Sequence, residues 1–263
     1  MKKTVLQGII TILLFLGTWF VLTQIDWVKV FKIQKITNTT EQKLGELFWD
    51  VFKKTEKESK NTHVLNAIDS IVTHICSTNK IDRKKIKIHV LNKDEINAFA
   101  LPGGHLIVYS GLIMNVDNQQ ELTGVICHEI AHIELNHVMK KLVKEIGLSV
   151  LISMTTNGGP EVIKETAKML SSSAFDRNLE KEADIKAVDY LIKAKVNPEP
   201  FANFLYKLSQ GHEGTKYLTW ISTHPDSKER AAYITEHNKN RSEDYRAILS
   251  KNTWDKLKEE LKD

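Results

Sequence analysis

The sequence predicts an α+β protein that is predominantly helical, with a small three-stranded sheet packed on a helix that carries an HExxH motif, and with a transmembrane helix at the N-terminus. Three observations predict this fold. Residues 4–25 carry no charge, three short strand-like segments lie between residues 86 and 109, and apolar residues follow a helical spacing over most of the chain after residue 118. Strands that are followed only by helices are typical of α+β proteins with one small sheet.

Composition narrows the class of protein. Hydrophobic residues make up 41% and charged residues 27% of the 263 residues, which excludes wholesale disorder, collagen-like sequence and a polytopic membrane protein. The net charge of +4 is spread over many lysines, so no nucleic-acid partner is expected. The two cysteines, Cys76 and Cys127, are too few for a disulfide scaffold and too far apart for a CxxC motif. We expect Cys127 to be a small buried apolar residue.

The uncharged run at residues 4–25 predicts a membrane anchor. As a helix it would span about 33 Å, against a hydrocarbon core of about 30 Å. The alternative is a cleaved signal peptide, but the run exceeds an apolar region of about 7 to 15 residues and no small-residue cleavage site follows it. Lysines lie on both sides of the run, so the positive-inside rule leaves the topology open.

Behind this run, residues 26–60 are predicted to form a connector with a weakly amphipathic helix near residues 41–56, and residues 61–263 to form the folded domain. The domain begins with a helix at 63–78, in which apolar residues are spaced by three and four. Three strands follow as a meander, at 86–91, 98–101 and 105–109. The remaining predicted helices are 119–141, 143–155, 161–171, 178–194, 201–209, 227–238 and 244–261.

An HExxH motif, His128-Glu129-Ile130-Ala131-His132, lies in the middle of the predicted helix 119–141. Because residues i and i+4 share one face of a helix, both imidazoles can converge on one Zn²⁺, and Glu129 can reach a metal-bound water as general base. The alternative is a helix whose histidines are merely packed. Apolar neighbours argue against it, since two histidines and a carboxylate are costly in a buried helix unless they are paired.

A catalytic zinc needs a third protein ligand and an open fourth position. Leu135 and Val138 stand where the metzincin extension requires glycine and histidine, so that class is excluded. Downstream, Glu180 and Asp184 share one helix face at i and i+4. Glu180 could bind zinc while Asp184 accepts the free N–H of a liganding histidine. Glu182 is the alternative ligand, but it points off that face, so Glu180 is preferred.

Four motifs together resemble those of the gluzincin metallopeptidases of the HtpX, CAAX prenyl protease and BepA-like superfamily. In chain order they are Asn97-Ala98-Phe99-Ala100-Leu101-Pro102-Gly103-Gly104, HEIAH at 128–132, Glu180-Lys181-Glu182-Ala183-Asp184 and Ser222-Thr223-His224-Pro225. They cover roughly residues 61–238, and the single apolar run resembles that of the one-anchor members. The resemblance implies one zinc per chain, with Glu129 as general base, Asp184 supporting a liganding histidine, and the ligands His128, His132 and Glu180.

The resemblance also implies roles that spacing does not reveal. An extended peptide would pair with the backbone of the strand that contains Asn97, Ala98, Phe99 and Ala100. His224 would approach the zinc, either stabilising the oxyanion or occupying the open position in a latent state. Arg177 resembles an arginine near the family's carboxylates, although Asp176 replaces the serine that usually precedes it.

Together, these predictions describe a membrane-anchored zinc endopeptidase that cleaves unfolded or misassembled membrane and envelope proteins. Its partners would be polypeptide substrates and the lipid bilayer. The Lys-Lys start before the apolar run resembles an export signal-anchor, which favours a bacterial cell envelope with the catalytic domain outside the cytoplasm. Two alternatives stay open at this point: an envelope chaperone or assembly factor with latent or weak protease activity, and a structural helical domain whose HExxH is accidental.

Overall fold

A computed structural model describes residues 2–24, 33–210, 218–239 and 244–262, and it divides the chain into two compact units, Met1–Thr40 and Glu41–Asp263. The first unit contains helix α1, Lys2–Gln24, and the first residues of helix α2, Ile33–Thr55. Within the described residues, no helix is long and apolar enough to cross a membrane, so the predicted span at 4–25 is not confirmed. Residues 25–32, where the predicted span ends and the predicted connector begins, lie outside the described residues.

The second unit is mostly helical with one small sheet, which confirms the predicted α+β class. Its strands are β1 Lys87–Leu91, β2 Ala98–Leu101 and β3 His105–Tyr109. Beyond α2, its helices are α3 Thr62–Asn79, α4 Ser110–Asn115, α5 Gln119–Glu134, α6 His137–Glu145, α7 Leu148–Asn157, α8 Pro160–Ser172, α9 Arg177–Lys193, α10 Glu199–Ser209, α11 Leu218–Thr223, α12 Ser227–Asn238 and α13 Lys251–Glu259.

The sheet is not the predicted meander. Its strand order is β1-β3-β2, with β3 antiparallel to β2 and parallel to β1. A tight turn at Pro102–Gly104 joins β2 to β3, and Gly104 adopts a φ of 79° there. A Cβ on Gly104 would lie 1.8 Å from the carbonyl oxygen of Lys85, so only glycine fits this turn. Because β1 pairs with the other side of β3, β2 is left at the edge of the sheet.

The sheet separates two apolar cores, because side chains alternate between its faces. Along β3, Leu106 and Val108 enter a core built with α3, α5, α9 and α10. Ile107 and Tyr109 enter a second core built with α2, α6, α7 and α8. The HExxH helix α5 therefore lies on one face of the sheet, and α6 to α8 pack on the other.

The folded unit begins earlier than the predicted boundary at residue 61. Leu44, Phe48 and Phe52 on α2 are buried in the second core. Their spacing of four residues places them on one stripe of the helix. The compact unit consequently starts at Glu41, within the segment predicted as a connector.

The predicted helix 119–141 is two helices, α5 and α6. Asn136 lies between them with a φ of 56°, in the left-handed region, and this interrupts the helical backbone. The break changes the direction of the chain and brings His137, the first residue of α6, beside His132 near the end of α5. Cys127, two turns before the break, is a buried free thiol, as is Cys76.

Candidate metal centre

Four buried side chains converge beside the HExxH helix. His128, His132, Glu180 and His224 each offer a donor atom within 4.8 Å of the others, and none is more than 2% exposed. The two histidines of α5 are one turn apart, Glu180 lies in the first turn of α9, and His224 directly follows α11. Residues from three separate segments of the chain thus meet at one point.

The distances within this cluster suit one metal ion. The Nε2 atoms of His128 and His132 are 3.0 Å apart, and the Glu180 carboxylate oxygens lie 3.4 Å from His132 Nε2 and 3.6 Å from His128 Nε2. His224 Nδ1 lies 3.1 Å from Glu180 Oε1 and 3.3 Å from His128 Nε2. Imidazole nitrogens with one carboxylate form a donor set that Zn²⁺ prefers.

Glu129 is buried next to this cluster without a hydrogen-bond partner in the described part of the chain for either carboxylate oxygen. His224 Nε2 is 3.5 Å from Oε1, and the N–H of Ala100 faces the carboxyl without closing a bond of good geometry. Burial, and then the neighbouring Glu180, raise the pKa of Glu129 well above its usual value. A buried carboxyl without partners is costly, so this group fits a site that receives a water or a substrate atom.

Asp184 orients the first histidine of the motif. Its Oδ1 atom lies 2.8 Å from His128 Nδ1, which is the contact expected from the shared helix face of Glu180 and Asp184. Burial lowers the pKa of His128 to about 3. A neutral imidazole that donates its Nδ1–H to Asp184 presents an unprotonated Nε2 towards the cluster, as a metal ligand must.

Arg230 on α12, which the sequence motifs did not predict as a site residue, contacts both carboxylates of the site. Its Nε and Nη2 atoms donate to the two oxygens of Asp184 at 2.8 Å each, and its Nη1 lies 2.7 Å from Glu180 Oε2. The hydroxyl of Tyr233 also donates to Asp184. Burial acts to raise the pKa of both carboxyls, but Arg230 and the neighbouring histidines together outweigh it, so the pKa of Glu180 and of Asp184 is lowered.

A sequence signal for Arg230 does exist. Arg230 directly precedes the apolar Ala231 and lies four residues before the apolar Ile234, and the structure buries all three on one face of α12. A charged residue at such a position requires a buried partner.

Arg177, by contrast, does not reach the carboxylates of the site. Its side chain is 78% exposed, and its Nε atom forms an ion pair of 2.7 Å with Asp226 in the loop before α12. The structure therefore places Arg230, and not the predicted Arg177, beside Glu180 and Asp184.

Comparison with known proteins identifies the family of this chain. Residues 63–238 match peptidase family M48. The chain belongs to this family. Membership confirms the predicted family of zinc metallopeptidases, and the buried donor cluster suits the zinc that this family uses.

Three curated M48 relatives illustrate the similarity. The mitochondrial metalloendopeptidase OMA1 of Bos taurus is 29% identical over 200 residues, which is 68% of this chain and 38% of the relative. The beta-barrel assembly-enhancing protease of Yersinia pestis is 28% identical over 184 residues, 62% of this chain and 38% of the relative. Metalloprotease LoiP of Escherichia coli (strain K12) is 30% identical over 165 residues, 60% of this chain and 65% of the relative. The chain thus spans 38% to 65% of the length of these relatives.

The second M48 histidine, His132, has an unexpected neighbour. Its Nδ1 atom lies 3.1 Å from Nδ1 of His137, and Nε2 of His137 lies 3.1 Å from an oxygen of Glu182. On one continuous helix, residues five apart would point in different directions, so only the break at Asn136 allows this contact. Glu182, the alternative ligand, is 59% exposed and lies outside the metal cluster.

Aromatic rings and the predicted substrate strand enclose the M48 site. Phe175 stacks on His132 and Trp220 stacks on His224, each with ring centroids 4.1 Å apart. The predicted substrate-binding residues lie at or beside β2, are at most 3% exposed and comprise Asn97, Ala98, Phe99 and Ala100. The donor atoms and this strand are therefore both buried in the described structure.

Proposed function

We propose that this protein is a membrane-attached zinc endopeptidase that cleaves unfolded or misassembled membrane and envelope proteins. The observation that carries the proposal is the partnerless carboxyl of Glu129, buried beside the converging donors of His128, His132 and Glu180. A water-activating base next to an open metal position is the arrangement that peptide hydrolysis requires. The names of the relatives, a metalloendopeptidase and a protease that enhances beta-barrel assembly, support the substrate class.

Each residue of the site has a distinct task in this proposal. When bound to His128, His132 and Glu180, zinc supplies a positive charge that polarises the scissile carbonyl and acidifies water. Glu129 accepts a proton from the attacking water and passes it to the leaving amine. Because burial raises its pKa, Glu129 can hold the proton between these two steps. Asp184 keeps the His128 ring oriented throughout.

The edge strand β2 is the proposed place for the substrate backbone. Among the described strands, β2 pairs only with β3, so its second edge is available for an extended peptide once the site opens. The N–H of Ala100 faces Glu129, so a peptide aligned with this part of the strand would lie close to the base. Asn97, Ala98 and Phe99 would extend the pairing along the strand.

We further propose that His224 keeps the site latent. Its ring lies within 3.1 to 3.3 Å of donor atoms on Glu180 and His128, in the space that a substrate carbonyl would need. The burial of every donor favours this role, and Trp220 stacks on the His224 ring. The same burial favours the second candidate function, an envelope chaperone or assembly factor whose protease activity is latent or weak.

Location at a membrane is also a proposal. It is supported by the absence of charge over residues 4–25 and by the exposed apolar side chains of α1, among them Leu14, Phe15 and Trp19. An apolar helix face exposed to water is costly, and contact with lipid would remove that cost. The catalytic domain would then work outside the cytoplasm of a bacterial cell, attached to the bilayer by this segment.

Zinc content and casein cleavage by Glu129→Gln and Glu180→Ala variants test the peptidase. We expect one zinc per wild-type chain and measurable cleavage. Glu129→Gln should lose cleavage by about 10²–10⁴-fold while retaining zinc, because it removes the proton acceptor alone. Glu180→Ala should lose zinc. The control is Glu134→Gln, an exposed position on the same helix, which should match the wild type. Cleavage that survives Glu129→Gln, or a wild-type chain without zinc, would contradict the proposal.

Replacement of His224 separates latency from catalysis. If His224 blocks the site, the His224→Ala variant should cleave casein faster than the wild type at equal zinc content. A slower variant would instead assign His224 to stabilisation of the oxyanion. Casein that both proteins bind without cleavage would favour the chaperone function.

A further inference from the structure

A series of hydrogen-bonding groups leads from the metal cluster to the protein surface. It starts at His132 Nδ1, passes through the two nitrogens of His137 and ends at the carboxylate of Glu182, with both steps measuring 3.1 Å. His132 and His137 are fully buried, whereas Glu182 is 59% exposed. This series is separate from the Asp184 and Arg230 contacts that hold His128.

Metal binding at His132, together with these distances, determines which nitrogens carry protons. Only one proton can lie between the Nδ1 atoms of His132 and His137. His132 must leave its Nε2 unprotonated to bind a metal, so its proton lies on Nδ1 and His137 Nδ1 is the acceptor. The proton of a neutral His137 then lies on Nε2, where it is donated to Glu182. Every donor in the series therefore has an acceptor.

Packing holds His137 in the orientation that this series needs. The left-handed Asn136 turns the chain just before it, and the following residues Val138, Met139 and Leu142 anchor α6 in the second core. The His132 ring is also stacked on Phe175, so neither imidazole is free to rotate. The contact is thus determined by the backbone and both cores, and not by the two rings alone.

We propose that His137 is a positioning residue for the zinc ligand His132, and that Glu182 fixes His137 from the solvent side. An outer partner that fixes tautomer and ring orientation strengthens a histidine ligand. The two histidines of the HExxH motif are therefore held differently, His128 by a buried carboxylate and His132 by a second imidazole that reaches solvent through Glu182. This inference rests on the zinc site of the proposed function.

The test is the zinc affinity of the full chain, measured by competition with a chromogenic chelator at fixed pH. His137→Phe keeps a ring of similar size but removes both hydrogen bonds. We expect its zinc dissociation constant to rise by about 10- to 100-fold, the usual effect of losing an outer partner. The matched control is His74→Phe, which removes a half-buried histidine that contacts the Ala194 carbonyl oxygen at 3.0 Å, far along the chain from the site. This control should bind zinc like the wild type.

Two further variants guard against a simple folding defect. His137→Gln can still accept from His132 and donate to Glu182, so it should recover part of the affinity that His137→Phe loses. Glu182→Gln changes only the exposed end of the series and should weaken zinc binding less than His137→Phe. Its control is Glu165→Gln, whose side chain is equally exposed at 61% and should have no effect. At saturating zinc, we expect His137→Phe to lower kcat with little change in KM.

The outcomes separate this inference from the proposed function. A wild-type chain that binds no zinc would remove the zinc site itself. A wild-type chain that binds zinc no more tightly than His137→Phe would overturn the positioning role alone. If His137→Phe does not fold, the other two variants decide. Zinc affinity that is unchanged in Glu182→Gln and fully lost in His137→Gln would also overturn the positioning role. Graded loss from Glu182→Gln to His137→Phe, with both controls unchanged, would support it.

Discussion

At the scale of single residues, one arginine helps to keep two buried carboxylates ionised. Arg230 donates to Asp184 through two nitrogens and approaches Glu180 with a third, and all three side chains are at most 2% exposed. A planar guanidinium can satisfy both acids at once, which a lysine ammonium could not do with the same geometry. The ionised state of the proposed ligand Glu180 thus depends on a residue that need not contact the metal.

Replacing Arg230 should cost much more stability than replacing Arg177. Arg230→Met leaves two buried carboxylates without their cation, and we expect a loss of about 3–5 kcal/mol in the free energy of unfolding. Arg177→Met breaks only an exposed ion pair with Asp226, which is worth about 0–1 kcal/mol. Urea unfolding of the metal-free proteins measures both. Equal losses in the two variants would contradict the assignment of Arg230 as the buried partner.

At the scale of elements, a cluster of titratable groups joins α2 to the sheet. Trp49 of α2 stacks on His89 of β1 with ring centroids 3.6 Å apart. The ring of His89 lies between Glu58 Oε1 at 2.9 Å and His105 Nδ1 at 3.0 Å. Glu46 of α2 pairs with Lys87 of β1 at 2.7 Å. The attachment of α2 therefore includes two imidazoles that pack as neutral groups.

Acid should weaken this attachment. Burial, and then the charge of Lys87, lower the pKa of His105 to about 4, against about 6.5 in the unfolded chain. In the pH range between these two pKa values, His105 carries a proton in the unfolded chain but not in the folded chain. The contribution of His105 to the free energy of unfolding is therefore fully present above pH 6.5. It falls as the pH drops towards 4, by at most about 3 kcal/mol.

The contribution of His105 appears as a difference between variants, because other groups also titrate in this range. The slope of unfolding free energy against pH from 6.5 to 4 should be shallower in His105→Asn than in the wild type. An identical slope in His105→Asn and the wild type would show that His105 does not take up a proton on unfolding.

Local patterns predicted the elements of the site better than their arrangement. The three strands, the HExxH helix and the shared face of Glu180 and Asp184 depend on spacing along a few neighbouring residues, and each lies close to its predicted place. His137 depends on one left-handed residue, Asn136, which nothing in the periodicity of α5 and α6 signals. Strand order and the reach of Arg230 are set by contacts between segments distant in sequence, which periodicity cannot encode.

At the scale of the whole molecule, one unit holds the complete candidate site. Every residue of the metal cluster and both apolar cores belong to Glu41–Asp263. The chemistry proposed for the protein thus requires nothing from α1. If residues 4–25 attach the chain to a membrane, as proposed, truncation should separate attachment from cleavage.

A chain that begins at residue 31 should separate attachment from catalysis. It keeps all of α2, whose Leu44, Phe48 and Phe52 complete the second core, so we expect it to fold and to bind one zinc. Without the uncharged run, it should stay in the aqueous phase of a detergent partition, whereas the full chain should enter the detergent phase. Casein cleavage at equal zinc content should be the same for both chains, because casein is not held at a membrane.

A full chain that stays in the aqueous phase would contradict membrane attachment and leave the peptidase proposal intact. Loss of zinc from the shorter chain would instead show that the first residues are needed to complete the site.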